Sequence, residues 1–168
     1  NGSDFYLKDD LTKKVVVGPS ESMSKSKKNT IDPEKMIENF GADSVRFFIL
    51  SDSPPEKDVQ WSDQGMQASY KFVQKFWGLN SEISQKINSQ SSVSSKENKI
   101  DEEILIFTNQ IIEKITLNLE NFHYNVIIAN FHEIYNFFKK IKQTVNWDSK
   151  ILGENYIKIL HVMKPVLP

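Results

Sequence analysis

Between Phe72 and Met163 the large apolar residues return at steps of three and four, and that spacing restricts the stretch to amphipathic helices. Phe72, Phe76, Leu79, Ile83 and Ile87 form one stripe. Ile104, Phe107, Ile111, Ile115 and Leu119 form a second, with Asp101 placed to cap its helix and Asn121 to stop it. Tyr124, Ile127, Phe131, Ile134, Phe138 and Ile141 form a third, and Ile151 to Met163 carries a fourth. A helix with one apolar face must bury it, so the stripes predict an antiparallel helical bundle in which each large side chain contributes about 1.5–3 kcal/mol. Ser89 to Lys99 interrupts the pattern. It is Ser-rich with a single apolar residue, and is expected to be a mobile connection.

The first sixty residues read differently. Phe5-Tyr6-Leu7, a polar turn at Lys8 to Lys14, and Val15-Val16-Val17 closed by Gly18-Pro19 predict a β-hairpin. A helix from Pro33 to about Phe40 should end at Gly41, which tolerates a left-handed cap. A second should run from Ala42 or Asp43 to about Leu50, stopped by Pro54-Pro55, and Val59-Gln60-Trp61 is expected to be a short strand. The fold class expected is therefore mixed and mainly α. A small α/β unit over 1–63 precedes a helical bundle over 64–168, with the Ser-rich connector at about 89–99.

Composition limits what such a chain can do. Its 168 residues, 39% hydrophobic and 26% charged, suit a globular protein, and no apolar run approaches the roughly 20 residues of a membrane helix. No signal peptide is expected; the sequence has no cysteine, so it offers no disulfide and no thiolate metal site, and a cytoplasmic location is expected. His123, His132 and His161 are too scattered to suggest a metal site. A net charge of −1 argues against a uniformly basic nucleic-acid binder, so any RNA contact must use local patches. The chain starts at Asn1 and stops at Pro168 where a helix is ending, as a piece of something larger would.

Met23 to Pro33 is where chemistry concentrates. Lys25, Lys27 and Lys28 put three ammonium groups in one short stretch, while Ser24 and Ser26 add hydroxyls with little bulk. Asp32 and Pro33 read as N-cap and first helical residue. This combination suits phosphate, although a solvated Ser/Lys loop has the same composition. Asn29 is expected to fix the loop by side-chain to backbone bonds. Arg46 is the only arginine among 21 basic residues, and its planar fork suits either a carboxylate such as Asp43 or a phosphate. Trp61 reads as a core residue before an RNA contact. Lys139, Lys140 and Lys142 lie near a helix C-terminus, where the dipole already favours cations.

Met23-Ser24-Lys25-Ser26 resembles the Lys-Met-Ser-Lys-Ser motif of class I aminoacyl-tRNA synthetases, and its surroundings resemble the leucyl family among them. That family's Lys-x-Asn-x-x-Asp-Pro is matched by Lys27, Asn29, Asp32 and Pro33. Its Gly-Ala-Asp-x-x-Arg is matched by Gly41, Ala42, Asp43 and Arg46. Ser53-Pro54-Pro55-Glu56 and then Trp61 follow its next pattern, and Lys27-Lys28-Asn29 stands where valyl and isoleucyl enzymes usually carry Leu-Gly-Asn. The resemblance is strong over 15 to 80 and weaker over the bundle, where Tyr124 to Ile141 resembles the anticodon-binding helical domain. It departs at Ser22, which occupies the place of the motif's first lysine. Lys27 or Lys28 is expected to replace that cation in part.

The resemblance implies ATP-dependent activation of leucine and its transfer to tRNA(Leu), with Lys25 catalytic and Ser24, Lys25, Ser26 and Lys27 on the ATP phosphates. Mg2+ is expected to arrive with ATP in the parent enzyme, with no metal or cofactor held tightly by this part. Residues 1–63 would then be the end of the catalytic region with a stem-contact unit, and Lys139, Lys140 and Lys142 would meet tRNA phosphates. A monomeric parent is expected. The nucleotide-binding fold with its His-Ile-Gly-His motif, most of the leucine pocket, the editing domain and the last tRNA-binding domain would lie elsewhere, leaving this piece inactive alone. Competing readings are a synthetase for valine, isoleucine or methionine, and a noncatalytic RNA-binding or interaction module with a decayed loop.

Overall fold

The computed structural model describes residues 4–89, 99–144 and 148–168. Most of the Ser-rich connector lies outside the described residues. The described residues are mainly helical with one two-stranded antiparallel sheet, and the contacts divide the chain into two compact units, residues 1–33 and 34–168.

The first unit holds the hairpin. Strands β1 (Phe5–Leu7) and β2 (Asp10–Val15) pair with Phe5 opposite Val15 and Leu7 opposite Asp10, and an irregularity between Tyr6 and Leu7 takes up the unequal lengths. The turn is only Lys8-Asp9, so the second strand begins five residues before the expected Val15. Val16 and Val17 fall beyond the ladder and are largely exposed. At the start of β2, the Asp10 side chain accepts hydrogen bonds from the hydroxyl and the backbone N–H of Thr12, which hold its carboxyl below the usual carboxylate range.

The second unit is built from helices. Helix α1 (Pro33–Phe40) begins at proline, whose missing N–H costs nothing there, and α2 (Ala42–Ser51) follows after one residue. Gly41 makes that junction at φ 79° and ψ 151°, a region open to glycine but outside the left-handed helical conformation expected for it. Val59 to Trp61 forms no strand. Among the described residues no second segment pairs with it, and Trp61 instead packs edge-on to Phe48 at 5.2 Å and donates its indole N–H to Asp63 at 2.8 Å.

Helix α3 (Asp63–Ser89) opens with the Ser62 hydroxyl accepting the Gly65 N–H, and Gly65 is required by closeness: a Cβ there would lie 2.7 Å from the Phe48 ring. Helix α4 (Lys99–Glu120) starts two residues before Asp101, whose carboxylate is used elsewhere, accepting the N–H of Asp148 at 2.9 Å. Asp148 in turn caps α6 (Ser149–Met163), accepting the N–H groups of Lys150 and Ile151.

Between α4 and α5 (Tyr124–Ile141) the chain reverses in three residues. His123 N–H reaches Asn118 O at 2.8 Å and Phe122 N–H reaches Leu119 O at 3.2 Å, the paired bonds of a Schellman turn. Phe122 takes the positive φ, 57°, that glycine usually supplies. At the far end, the Lys86 ammonium on α3 donates to the carbonyl of Lys142, the C-cap of α5, and so serves the negative end of that helix.

The four stripes meet as expected. Ile83, Ile104, Ile111, Ile115, Ile127, Phe131, Ile134, Phe138 and Ile159 are almost wholly buried, with α4 on α5 and α6, and α3 on α5 and α6. Helix α2 belongs to this body as well. Phe47 stacks on Phe72 of α3 at 4.7 Å and reaches Phe131 of α5 at 6.5 Å, and by its contacts the stretch 34–63 clusters with the helices that follow it. Burial of Tyr156, whose ring meets that of Phe138 at 4.9 Å, pushes its phenol well above the ordinary range.

Candidate functional site

The lysine-bearing loop lies in the first unit, after β2, and is folded by its own side chains. Asn29 is its staple. Its amide oxygen accepts the Ser24 N–H at 2.8 Å, and its amide nitrogen donates to the Ser22 carbonyl at 3.3 Å. One short side chain thereby ties both residues flanking Met23, as an asparagine can because it carries donor and acceptor together. Within the staple, the N–H groups of Lys27 and Lys28 return to the carbonyls of Ser24 and Lys25, each at 3.2 Å. The Ser24 hydroxyl lies 3.2 Å from that of Ser26 and 3.3 Å from the Lys27 N–H. Ser24 and Ser26 thus shape the turn. Lys28 closes it in the left-handed region at φ 54°.

This turn exposes Lys25, Lys27 and Lys28, so the short stretch concentrates positive charge towards solvent. Among the described residues Lys25 has no ion-pair partner, which leaves its ammonium available to an anion. Lys27 is held by Glu21, with Nζ 2.7 Å from Oε2. Both side chains are about half exposed, 51% and 53%, and a pair so placed is worth about 0.2–1 kcal/mol, enough to bias a lysine without locking it. Glu21 was not legible as a partner, because a contact six residues away around a turn has no periodic signal.

The other residues singled out by the sequence lie in the helical body. Arg46 pairs with Asp43 at 2.6 Å and donates from the same nitrogen to the Val166 carbonyl at 3.3 Å, so its guanidinium is structural and joins α2 to the chain end. It borders a shallow apolar groove of about 290 Å³ lined also by Ile37, Ala42, Val45, Ile49 and Leu50. At the end of α5, Lys142 pairs with Glu82 of α3, Lys140 lies 3.7 Å from Glu103 of α4, and Lys139 lies 6.0 Å from the centre of the Tyr135 ring. Each of these lysines therefore has an internal contact. Among the described residues no three histidine, aspartate or glutamate side chains gather as a metal-ligand set, and no helix is long and apolar enough to cross a membrane.

With its basic, serine-lined loop followed in sequence by a proline-opened helix and a helical body, the chain belongs with the class I tRNA synthetases. Residues 13–62 match the family of tRNA synthetases class I (I, L, M and V). Within the class it is a homologue of the leucine–tRNA ligases. It is 36% identical to the leucine–tRNA ligase of Orientia tsutsugamushi (strain Boryong) over 92% of this chain and 17% of that protein. With that of Fusobacterium nucleatum it shares 37% over 88% of this chain and 18% of the relative. The Brachyspira hyodysenteriae enzyme is 35% identical over 97% and 20%. The chain therefore spans at most about a fifth of these relatives' length. A similar solved structure is that of the Agrobacterium radiobacter K84 agnB2 LeuRS in a ternary complex with tRNA and LeuAMS, with a TM-score of 0.75 and 26% identity over 87% of this chain and 19% of that one.

Proposed function

We propose that the protein carrying this chain activates leucine with ATP and loads it onto tRNA(Leu), and that this chain supplies the loop that holds the ATP phosphates. The observation that carries the reading is Lys25: an ammonium with no ion-pair partner among the described residues, on a stapled, serine-lined turn, in a chain whose relatives are leucine–tRNA ligases. An oxygen of the leucine carboxylate attacks the α-phosphorus of ATP. The new O–P bond forms as the bond to the bridging oxygen breaks, and the electron pair leaves with pyrophosphate. Negative charge grows on that leaving group, so a cation able to follow it stabilises the transition state more than the ground state. Lys25 takes this role, with Lys27 beside it and Ser24 and Ser26 keeping the turn open to phosphate. Mg2+ enters as part of the nucleotide substrate. The terminal ribose of tRNA(Leu) then takes the leucyl group and AMP leaves.

Lys139 and Lys140 are the better candidates for tRNA phosphate contacts, since Lys142 is committed to Glu82 and is only about a quarter exposed. A cytoplasmic location and a monomeric parent accompany this reading. The test is leucine-dependent ATP–pyrophosphate exchange by the full-length protein. Lys25→Ala should lower it about a hundredfold, the loss of roughly 3 kcal/mol of transition-state stabilisation. Exchange that survives the substitution unchanged removes Lys25 from the mechanism. Exchange with valine, isoleucine or methionine in place of leucine reassigns the substrate, and none with any amino acid favours a binding module.

A further inference from the structure

We infer that Lys27 replaces the lysine missing at position 22, and that Glu21 is the positioning residue that makes the replacement possible. The inference rests on the function proposed above. Three observations carry it. Position 22 is serine, so the loop lacks the first cation of the motif it otherwise matches. The Asn29 staple folds residues 22 to 29 into a closed turn by bonding the Ser22 carbonyl at one end. Across that turn Lys27 Nζ lies 2.7 Å from the carboxylate of Glu21, the residue immediately before position 22. A side chain that starts five residues too late thus returns its charge to the start of the motif.

Charge and donor number make this arrangement usable. A lysine ammonium has three N–H donors, so one on Glu21 leaves two for phosphate oxygens. The pair is exposed and weak, so a polyphosphate carrying several negative charges can draw the ammonium forward without first breaking a buried interaction. Lys28 does not share this placement: its backbone sits at φ 54° and no carboxylate holds it among the described residues.

The test is a double-mutant cycle in the full-length protein, read by leucine-dependent ATP–pyrophosphate exchange. In the natural background Lys27→Ala should lower kcat about tenfold, and in the Ser22→Lys background less than about threefold, because the restored lysine covers the loss. Lys27→Arg should keep most of the rate. Glu21→Ala should lower kcat/KM for ATP in the natural background and have little effect once Ser22→Lys is present, a pattern that a merely structural role would not give. Lys28→Ala should cost the same in both backgrounds. An equal cost of Lys27→Ala in the two backgrounds would overturn the replacement, and faster exchange on Glu21→Ala would show that Glu21 restrains Lys27. Loss of exchange on Lys25→Ala with an additive Lys27 cycle leaves the proposed function standing and removes only this inference.

Discussion

His132 lies on the partly open side of α5, its ring centre 4.2 Å from that of Phe72 and 5.9 Å from that of Phe47. Burial against these rings disfavours the imidazolium and lowers its pKa from 6.5. In the window at and just below 6.5 the unfolded chain therefore binds more protons than the folded one, so stability rises with pH there and falls as pH drops through it. The ring remains substantially exposed, so the effect is small. Unfolding free energies measured between pH 5 and 7 should show this slope, and His132→Phe should flatten it. A slope unchanged by the substitution would place its origin elsewhere. Such effects are barely legible in a sequence, since they depend on which rings surround a side chain. Asn29 was more legible, because a short amide in a loop has few uses other than bonding nearby backbone. Glu21 was not, since its pairing with Lys27 exists only once the turn is closed.

At the scale of elements, period decided what could be read. Helices α3 to α6 announce themselves by apolar spacing, which is a local property of the chain. Strands need partners, and two misreadings share that cause: Val59-Gln60-Trp61 has β-forming residues but no neighbour, and the second strand runs over Asp10–Val15 rather than Val15-Val16-Val17 because a two-residue turn sets its register. The end of α5 shows a different gap, between residues read as a patch and the contacts they make. Lys139, Lys140 and Lys142 look alike in sequence, yet Lys142 is paired across to α3 while Lys139 has no carboxylate partner among the described residues. Binding of tRNA(Leu) by the full-length protein should reflect that difference. Each lysine that meets a phosphate contributes about 0.7–0.9 to the slope of log K against log salt. Lys139→Ala and Lys140→Ala together should lower that slope by up to about 1.4–1.8, with Lys142→Ala adding little. A slope indifferent to the double substitution would leave these lysines with their internal roles alone.

For the molecule as a whole, the question is where the helical body begins. Motif order suggested a boundary at 63, with α1 and α2 grouped with the hairpin. The contacts of α2 run to the bundle, and the reason is nonlocal: Phe47 has no helical period long enough to advertise a partner, but its ring stacks on Phe72 and reaches Phe131, while Arg46 bonds the Val166 carbonyl 120 residues away. The groove beside Arg46 and the close fit of Gly65 against Phe48 belong to the same packing. Removing α2 would uncover the faces of α3 and α5 that Phe47 covers, and loss of one such aromatic side chain from a core typically costs about 3–5 kcal/mol. A chain of residues 34–168 should therefore unfold in a single cooperative transition, followed by circular dichroism in urea. A chain of residues 64–168 should unfold at markedly lower urea, or without cooperativity, by at least about 3 kcal/mol. Equal stability of the two would return the boundary to 63 and assign α2 to the unit that carries the lysine loop.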